Sequence, residues 1–527
     1  MEIYPKNHEH SAALLPKVLF DLSTALSTYQ SELSTSQSEL IISQQELAAY
    51  KARYASLIEE IRLAKQQRFA PSSEKNLLQP DLFDEPGVTL SPEMVEQLSD
   101  EENALAPVRK KHPVRRPLPK NLPREILVHD IADAEKVCAC GATLSCIGEE
   151  ITEQLKYIPA TLSVVQHVRL KYACKPCEAH VKTADMPALL LPKSIATPEL
   201  VAHTIVSKYA DHLPLYRQES MWCRLDIDLP RSSLCGWLLK TALLCEPLMA
   251  LLRTDIIKQN YVQADETTVQ VLGESGRAHT ANSYMWVYQT GHAVNPSIVF
   301  EYQETRTGAH AKTFLDGFKG YLQTDAYSGY AWTEKEPDVI ALGCMAHARR
   351  PFAELAKLTK TPGLAHQALL FFKKLYDIEK QAREANLLPD ARYQLRLNKA
   401  PPIIADFKCW LDRHLTKTSE ASKIGKAIRY ALNNWLALTS YLQAGHLEID
   451  NNAVENRIRP FAVGRKNWLF SGSPAGAKAG AIFYSLIETC KANRIEPYQY
   501  FCTMLHRIRL CQTQEDYKQL LPQFIQL

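Results

Sequence analysis

A chain of 527 residues is too long for one ordinary core, so three or more structural units are expected. Hydrophobic residues make up 46%, enough for packed domains, while a formal net charge of +3 is too small to select a partner by itself. The opening "MEIYPKNHEH" lacks a cationic region leading into an apolar run, so no signal peptide is expected and a cytoplasmic protein is predicted.

Leu26, Leu33, Leu40 and Leu47 recur every seven residues, and Tyr54 and Ile61 continue the row. The companion row of Leu22, Tyr29, Ser36, Ser43, Tyr50 and Leu57 is mixed, so residues 1–70 predict a coiled coil weakened by two serines in its seam. Such a helix suits a homodimer or higher oligomer. Residues 71–125 follow as a proline-rich linker, which includes the basic run "RKKHPVRRPLPK" (109–120). That run is either solvated or a flexible arm that contacts phosphates.

Residues 126–185 contain "CACG" and "CKPC", that is Cys138, Cys140, Cys174 and Cys177. The intervening "EQLKYIPATLSVVQHVRLKYAC" alternates like a β-hairpin, and two cysteine pairs at a hairpin base predict a structural Zn²⁺ site with four thiolates. The first pair is the less usual C-x-C, with Cys146 as a substitute ligand. Most of the thirteen cysteines are expected to be buried thiols.

Residues 186–255 read as helical, with Ser232 and Ser233 as N-cap candidates and helix-turn-helix character as one option for a DNA-binding region. The most apolar stretch of the chain, "CGWLLKTALLCEPLMALL" (235–252), is interrupted by Lys240, Glu246 and Pro247; a buried helical pair is expected there, not a membrane span. Beyond residue 256 the pattern changes to strands: "YVQADETTVQVL", "SYMWVYQT" and "SIVFEY", then a helix "GAHAKTFLDGF", a strand "GYLQTDAYSGY", and a strand running into a helix at "DVIALGCMAHARRPFAEL". A mixed α/β sheet is predicted. Residues 352–447 are mostly helical in pattern, and a basic helical tail closes the chain.

Two aspartates stand out. Asp265 lies in the first of these strands and Asp325 ends the fourth, where an unpartnered buried charge would be expensive. Near the C-terminus, "EIDNNAVENRIRPFAVGRKNW" (448–468) read as a helix places Asn452, Glu455, Asn456 and Arg459 on one polar face. Three carboxylates on one patch repel unless a cation sits among them, and hard oxygen ligands suit Mg²⁺ or Mn²⁺, two such ions clamping both oxygens of a phosphodiester. Spacing alone leaves Glu266, Asp316, Glu448 and Asp450 as rivals, and leaves open that each acid caps a helix or pairs with an arginine.

The segment "IDNNAVENRIRPFAVGRKNWLFSGSPAGAKAGAIFYSLIETCKANRIEPYQYF" closely resembles the end of the insertion-sequence-66 family transposases. So do "FAPSSEK" (69–75), "QADETTVQVL" around Asp265, "LQTDAYSGY" around Asp325 and "CMAHARRPF" (344–352), in the same order over nearly the whole chain. The resemblance implies a multidomain α/β protein: a ribonuclease-H-like catalytic core over 256–475 with a helical insertion at about 352–447, and a C-terminal region over 476–527. It implies a DDE transposase with Asp265, Asp325 and Glu455 as catalytic acids and ligands of two Mg²⁺ or Mn²⁺ ions, acting on double-stranded DNA at element ends and target, associated with the bacterial nucleoid when bound. Companion proteins of the same element are further expected partners. One departure is Val137 before Cys138, where family members often carry an extra cysteine.

Within that frame Asn451, Asn452 and Asn456 are expected to orient Glu455 or touch DNA, Arg457, Arg459, Arg465 and Lys466 to engage its phosphates, and Arg349 and Arg350 to contact DNA or the transition state. His347 is expected either to position a water or phosphate or to serve as a hydrogen-bonded structural histidine. Two other classes fit fewer of these features: a ribonuclease-H-like nuclease or resolvase without strand transfer, and a non-catalytic zinc-containing DNA-binding regulator.

Overall fold

The computed structural model describes residues 188–526 apart from 292 and 359–361, together with 162–173, 181–186 and scattered positions between 26 and 53. The scattered positions are helical, and Leu26, Tyr29 and Leu47 among them are exposed. The rest of the leucine row (Leu33, Leu40, Tyr54 and Ile61), most of the basic linker, and Cys138, Cys140, Cys146, Cys174 and Cys177 lie outside the described residues.

The chain divides into two compact units, one of which spans Glu101–Pro187. In that unit β1 (Lys171–Ala173) pairs antiparallel with β2 (Val181–Thr183), Tyr172 opposite Lys182. The sequence predicts a hairpin between the two cysteine pairs; residues 138–161 of that stretch and both cysteine pairs lie outside the described residues, and the pairing that is described joins the segments on either side of residues 174–180.

The other unit opens with three helices. α1 (Pro198–Tyr209) begins where Thr197 accepts the Leu200 amide (3.4 Å) and Pro198 supplies a preset φ. α2 (Leu215–Cys223) is short. α3 (Arg231–Ile257) is one continuous helix through Pro247, not the expected pair, and its N-cap is Pro230, which leaves Ser232 and Ser233 inside the first turn. Pro247 deletes one ladder donor. Leu238 and Cys245 before it, and Leu248, Leu252 and Ile256 after it, are buried in the same core and hold the two halves in line. Among the described residues α3 is the one helix long and apolar enough to cross a membrane, and this packing accounts for its composition.

A five-stranded sheet follows, formed by β3 (Tyr261–Gln270), β4 (Asn282–Thr290), β5 (Ile298–Gln303), β6 (Gly320–Gln323) and β7 (Val339–Leu342). Its order is β5-β4-β3-β6-β7, with β3, β4 and β5 antiparallel and β3, β6 and β7 parallel. α4 (Ala309–Phe314) crosses from β5 to β6, and its Phe314 stacks on Tyr288 of β4 at 3.8 Å between ring centres. The first four residues of β3 are buried in succession, as expected of a strand covered on both faces.

Beyond β7 the chain enters α5 (Met345–Lys357), and then α6 (Leu364–Glu384), α7 (Pro389–Leu415), α8 (Lys423–Asn433) and α9 (Trp435–Thr439). These helices bury a second core around Phe352, Phe372, Phe407 and Tyr441. α10 (Asn452–Trp468) returns to the sheet, and α11 (Pro474–Ala492) packs on β5. α11 does more than cover an apolar face. Ser485 accepts the Phe300 amide (2.7 Å) and Thr489 accepts the Ile298 amide (3.1 Å), so two hydroxyls one helical turn apart satisfy the free edge of β5. α12 (Pro497–Arg507) and α13 (Gln514–Lys518) complete the unit. Cys245, Cys344 and Cys490 are buried thiols, as expected, whereas Cys223, Cys235 and Cys409 are exposed.

Candidate active site

The parallel pairing of β3 with β6 aligns Tyr261 with Tyr321, Val262 with Leu322 and Gln263 with Gln323. Continuing that register two residues brings Asp265 level with Asp325: Asp265 lies midway along β3, opposite Val287 of β4, and Asp325 lies two residues beyond the end of β6, on the side where the parallel strands of an α/β sheet open a crevice. Both aspartates are half-buried. Asp265 accepts the Glu266 amide (2.8 Å) and Asp325 accepts the Tyr327 amide (3.1 Å), contacts that fix each carboxylate against its own backbone.

The third acid arrives on α10. Asn451, fully buried, caps this helix, and its carbonyl accepts the amides of Val454 (3.0 Å) and Glu455 (3.2 Å). Glu455 therefore sits in the first turn, where the helix dipole favours a carboxylate. It is buried, with Oε1 at 3.5 Å from His347 Nδ1 and Oε2 at 3.6 Å from Arg350.

Burial pushes the Asp265 carboxyl well above its usual range, and the negative charges of Glu266, Asp325 and Glu455 push it further. Among the described residues no lysine or arginine forms an ion pair with Asp265 or Asp325. Asp265 is thus surrounded by like charges, with the guanidiniums of Arg306 and Arg350 paired to Glu266 and Glu455. Oxygen donors of this kind fit a hard divalent ion, which would remove the repulsion. His347 is held neutral down to about 4 by burial and by Arg350.

The rival acids are accounted for. Glu266 pairs with Arg306 (2.6 Å) and accepts from Tyr330 (3.0 Å); Glu448 pairs with Arg392 (2.8 Å); Asp450 accepts from Tyr376 (2.8 Å) and caps the Asn452 amide (3.2 Å); Asp316 is exposed.

The expected DNA-contacting residues separate into groups. Asn456 and Lys466 are exposed, and Asn452, Arg459 and Arg349 are half-buried. Arg457 lies 3.8 Å from the buried Glu488. Arg465 ties α10 to β3, donating to Thr267 Oγ1 (3.2 Å), Thr268 Oγ1 (3.0 Å) and the Thr268 carbonyl. Its guanidinium is thereby occupied within the protein.

A buried amide cluster beneath the acids escaped sequence reasoning. Gln323 Nε2 donates to the Glu448 carbonyl (2.9 Å), Gln263 Nε2 donates to Gln323 Oε1 (2.7 Å) and the Asp450 carbonyl (3.3 Å), and Tyr261 Oη donates to Gln323 Oε1 (2.5 Å). The sequence does carry a signal for it: each glutamine lies two residues before an aspartate, in "QAD" and "QTD", and so on the same face of its strand. The pair fastens the two aspartate strands to the backbone that leads into α10.

Comparison with known proteins gives the class first. The Transposase IS66 family model matches residues 193–479, which include all three acids. Models of the zinc-finger binding domain of transposase IS66, the IS66 C-terminal element and the Transposase C of IS166 homeodomain match 135–178, 485–523 and 56–126. An uncharacterized protein of Sinorhizobium fredii (strain NBRC 101917 / NGR234), y4jD, is 33% identical over 404 residues, which is 74% of this chain and 78% of the relative. Two others from that organism, y4hP and y4qI, are 30% and 32% identical, covering 76% and 75% of this chain and 75% of each relative. The chain belongs to the IS66 family of transposases.

Proposed function

We propose that this chain is a DDE-type DNA transposase that cleaves at element ends and joins them to target DNA, with Asp265, Asp325 and Glu455 as its catalytic acids. The observation that carries the reading is the shared register of Asp265 and Asp325, with Glu455 close enough to raise the Asp265 carboxyl further. The sheet order, third-second-first-fourth-fifth with the last two strands parallel to the first, supports a ribonuclease-H-like core interrupted by the α6–α9 helices. When bound, two Mg²⁺ or Mn²⁺ ions would supply Lewis acidity and stabilise the charge developing on the attacking and leaving oxygens.

The residues of the chain divide the remaining work. Asp265 reaches the crevice from the middle of β3, Asp325 from just beyond the end of β6, and Glu455 from a helix whose start is held by Asn451 and by the glutamine pair. Arg350, beside Glu455 and 42% exposed, steadies that carboxylate and presents a guanidinium to phosphate. In the hydrolytic step a water oxygen bonds to phosphorus, the 3′ oxygen of the element strand leaves, and that oxygen gains a proton. In the transfer step the same 3′ hydroxyl attacks a target phosphorus, loses its proton, and displaces the target strand's own 3′ oxygen. No side chain becomes bonded to DNA.

A structural zinc in the 135–178 module, dimerisation through the N-terminal heptads, DNA as the macromolecular partner and a nucleoid-associated cytoplasmic location belong to the same proposal. The test is Mn²⁺ binding followed by calorimetry, on the wild type and on Asp265→Ala, Asp325→Ala and Glu455→Gln, with circular dichroism as the fold control. All three variants should bind Mn²⁺ more weakly. Binding that ignores them would remove the triad. Joined products in a strand-transfer assay separate a transposase from a nuclease that only cuts.

A further inference from the structure

Cys344 caps α5 and His347 lies three residues on, so both belong to the first turn of that helix. Glu455 faces them from α10. The Sγ of Cys344, a ring nitrogen of His347 and a carboxylate oxygen of Glu455 all lie within 4.8 Å of one another. Cys344 is buried, and its sulfur accepts from the Asn451 amide at 3.4 Å. A bare thiol packed against an imidazole and a carboxylate has no role in phosphoryl transfer as described above.

We propose that Cys344, His347 and Glu455 form a second metal site, selective for a soft or borderline divalent ion, foremost Zn²⁺, and that this site shares Glu455 with the oxygen-only site of the hard ions. The donor set decides the selectivity. Thiolate and imidazole favour zinc over Mg²⁺, while the two aspartates offer oxygen alone. Three protein ligands leave one position open, as in zinc sites that also bind water. Zinc–sulfur and zinc–nitrogen bonds of about 2.3 Å and 2.0 Å place tetrahedral donors about 3.5 Å apart, a separation that His347 Nδ1 and Glu455 Oε1 already have. The ion replaces the thiol proton, which passes to solvent.

Occupation of this site pulls Glu455 towards α5 and away from Asp265 and Asp325. Zinc thus inhibits the Mg²⁺-supported reaction, a consequence that rests on the function proposed above, whereas the binding itself does not.

Titrating Co²⁺ into the full chain and recording thiolate-to-cobalt charge transfer tests the site directly. Cys344→Ser and His347→Gln should each lose one bound cobalt per chain and the corresponding part of the band, while Asp265→Ala keeps both. The second variant covers the case in which Cys344→Ser does not fold. Unchanged cobalt binding in a folded Cys344→Ser or His347→Gln overturns the proposal, as does loss of the band in Asp265→Ala, which would merge the site with the triad. In strand-transfer assays the zinc concentration needed for half-inhibition should rise at least about tenfold in His347→Gln relative to its own uninhibited rate. Failure of the transposase reading shows separately, as a wild type that joins no DNA in Mg²⁺ while its cobalt band is intact.

Discussion

Two of the places where the described residues bury carboxylates do so in opposite ways. In the helical insertion, burial alone would raise the Glu379 carboxyl, but Arg396 and then Arg392 hold it below its usual value. Arg396, 1% exposed, donates to both Glu379 oxygens (2.8 and 2.9 Å) and spends its remaining donors on the carbonyls of Tyr441, Ala444 and Leu447. In the crevice, Asp265 has burial and three like charges acting on it, and no guanidinium pairs with it. The first cluster is a completed network that locks α6 and α7 to the chain preceding α10. The second is incomplete as protein alone, and that incompleteness is the feature suited to holding a cation.

The contrast can be broken at its strongest point by Asp325→Asn, which should leave the fold intact and lower strand transfer about 10³-fold or more, roughly 4 kcal/mol of transition-state stabilisation. Quantified joined products from matched protein concentrations would read this. Arg396→Met should do the reverse, removing about 3–5 kcal/mol of stability by leaving Glu379 with Arg392 alone and the buried carbonyls of Tyr441 and Leu447 without their donor. Denaturant melting would detect it, and a midpoint unchanged from wild type would deny the network its structural role.

The sign of the triad's charge is open to a sharper measurement. Because the folded Asp265 carboxyl titrates above its unfolded value, the metal-free native state binds more protons than the unfolded chain, so stability falls as pH rises from about 4 through the folded value. Metal-free Asp265→Asn should therefore melt higher than wild type at pH 7, by about 1–3 kcal/mol, and the gain should vanish below pH 4. Mn²⁺ should raise the melting temperature of wild type and leave the variant's almost unmoved.

Gln323→Leu should cost about 1–3 kcal/mol, since it leaves the Glu448 carbonyl and Gln263 without their partner. Calorimetry should then show weaker Mn²⁺ binding at unchanged DNA affinity. The smallest effect is expected at the rim. Lys466→Ala should lower the slope of log affinity against log salt by about 1 with no loss of stability, while Arg465→Ala, whose guanidinium is tied to Thr267 and Thr268, should lower stability instead.

Much of this protein was legible along the chain. Period-two and period-3.6 patterns marked the β3, β4 and β5 strands, the helices after residue 352 and the polar start of α10, because those patterns depend on neighbours within a turn or a strand. Glu455 was different: spacing left it among several rivals, and the ordered resemblance to the IS66 family singled it out. Ser232 and Ser233 misled as caps because Pro230, extended at φ −65° and ψ 142°, already sets the start of α3. Local composition could not show that Pro247 would be carried inside one helix, since the core on both sides of it comes from distant segments.

The sequence by itself determined the family and the order of most elements, and it nominated the acids proposed as catalytic. Tertiary structure alone decided the register that levels Asp265 with Asp325, the hydroxyls of Ser485 and Thr489 on the edge of β5, the diversion of Arg465 to β3, and the meeting of Cys344 and His347 with Glu455. The physical reason is one of range. Periodicity is enforced by bonds between near neighbours, whereas a register, an edge hydrogen bond or a shared ligand set is enforced by groups that meet only after the sheet has closed and α10 and α11 have packed back against it.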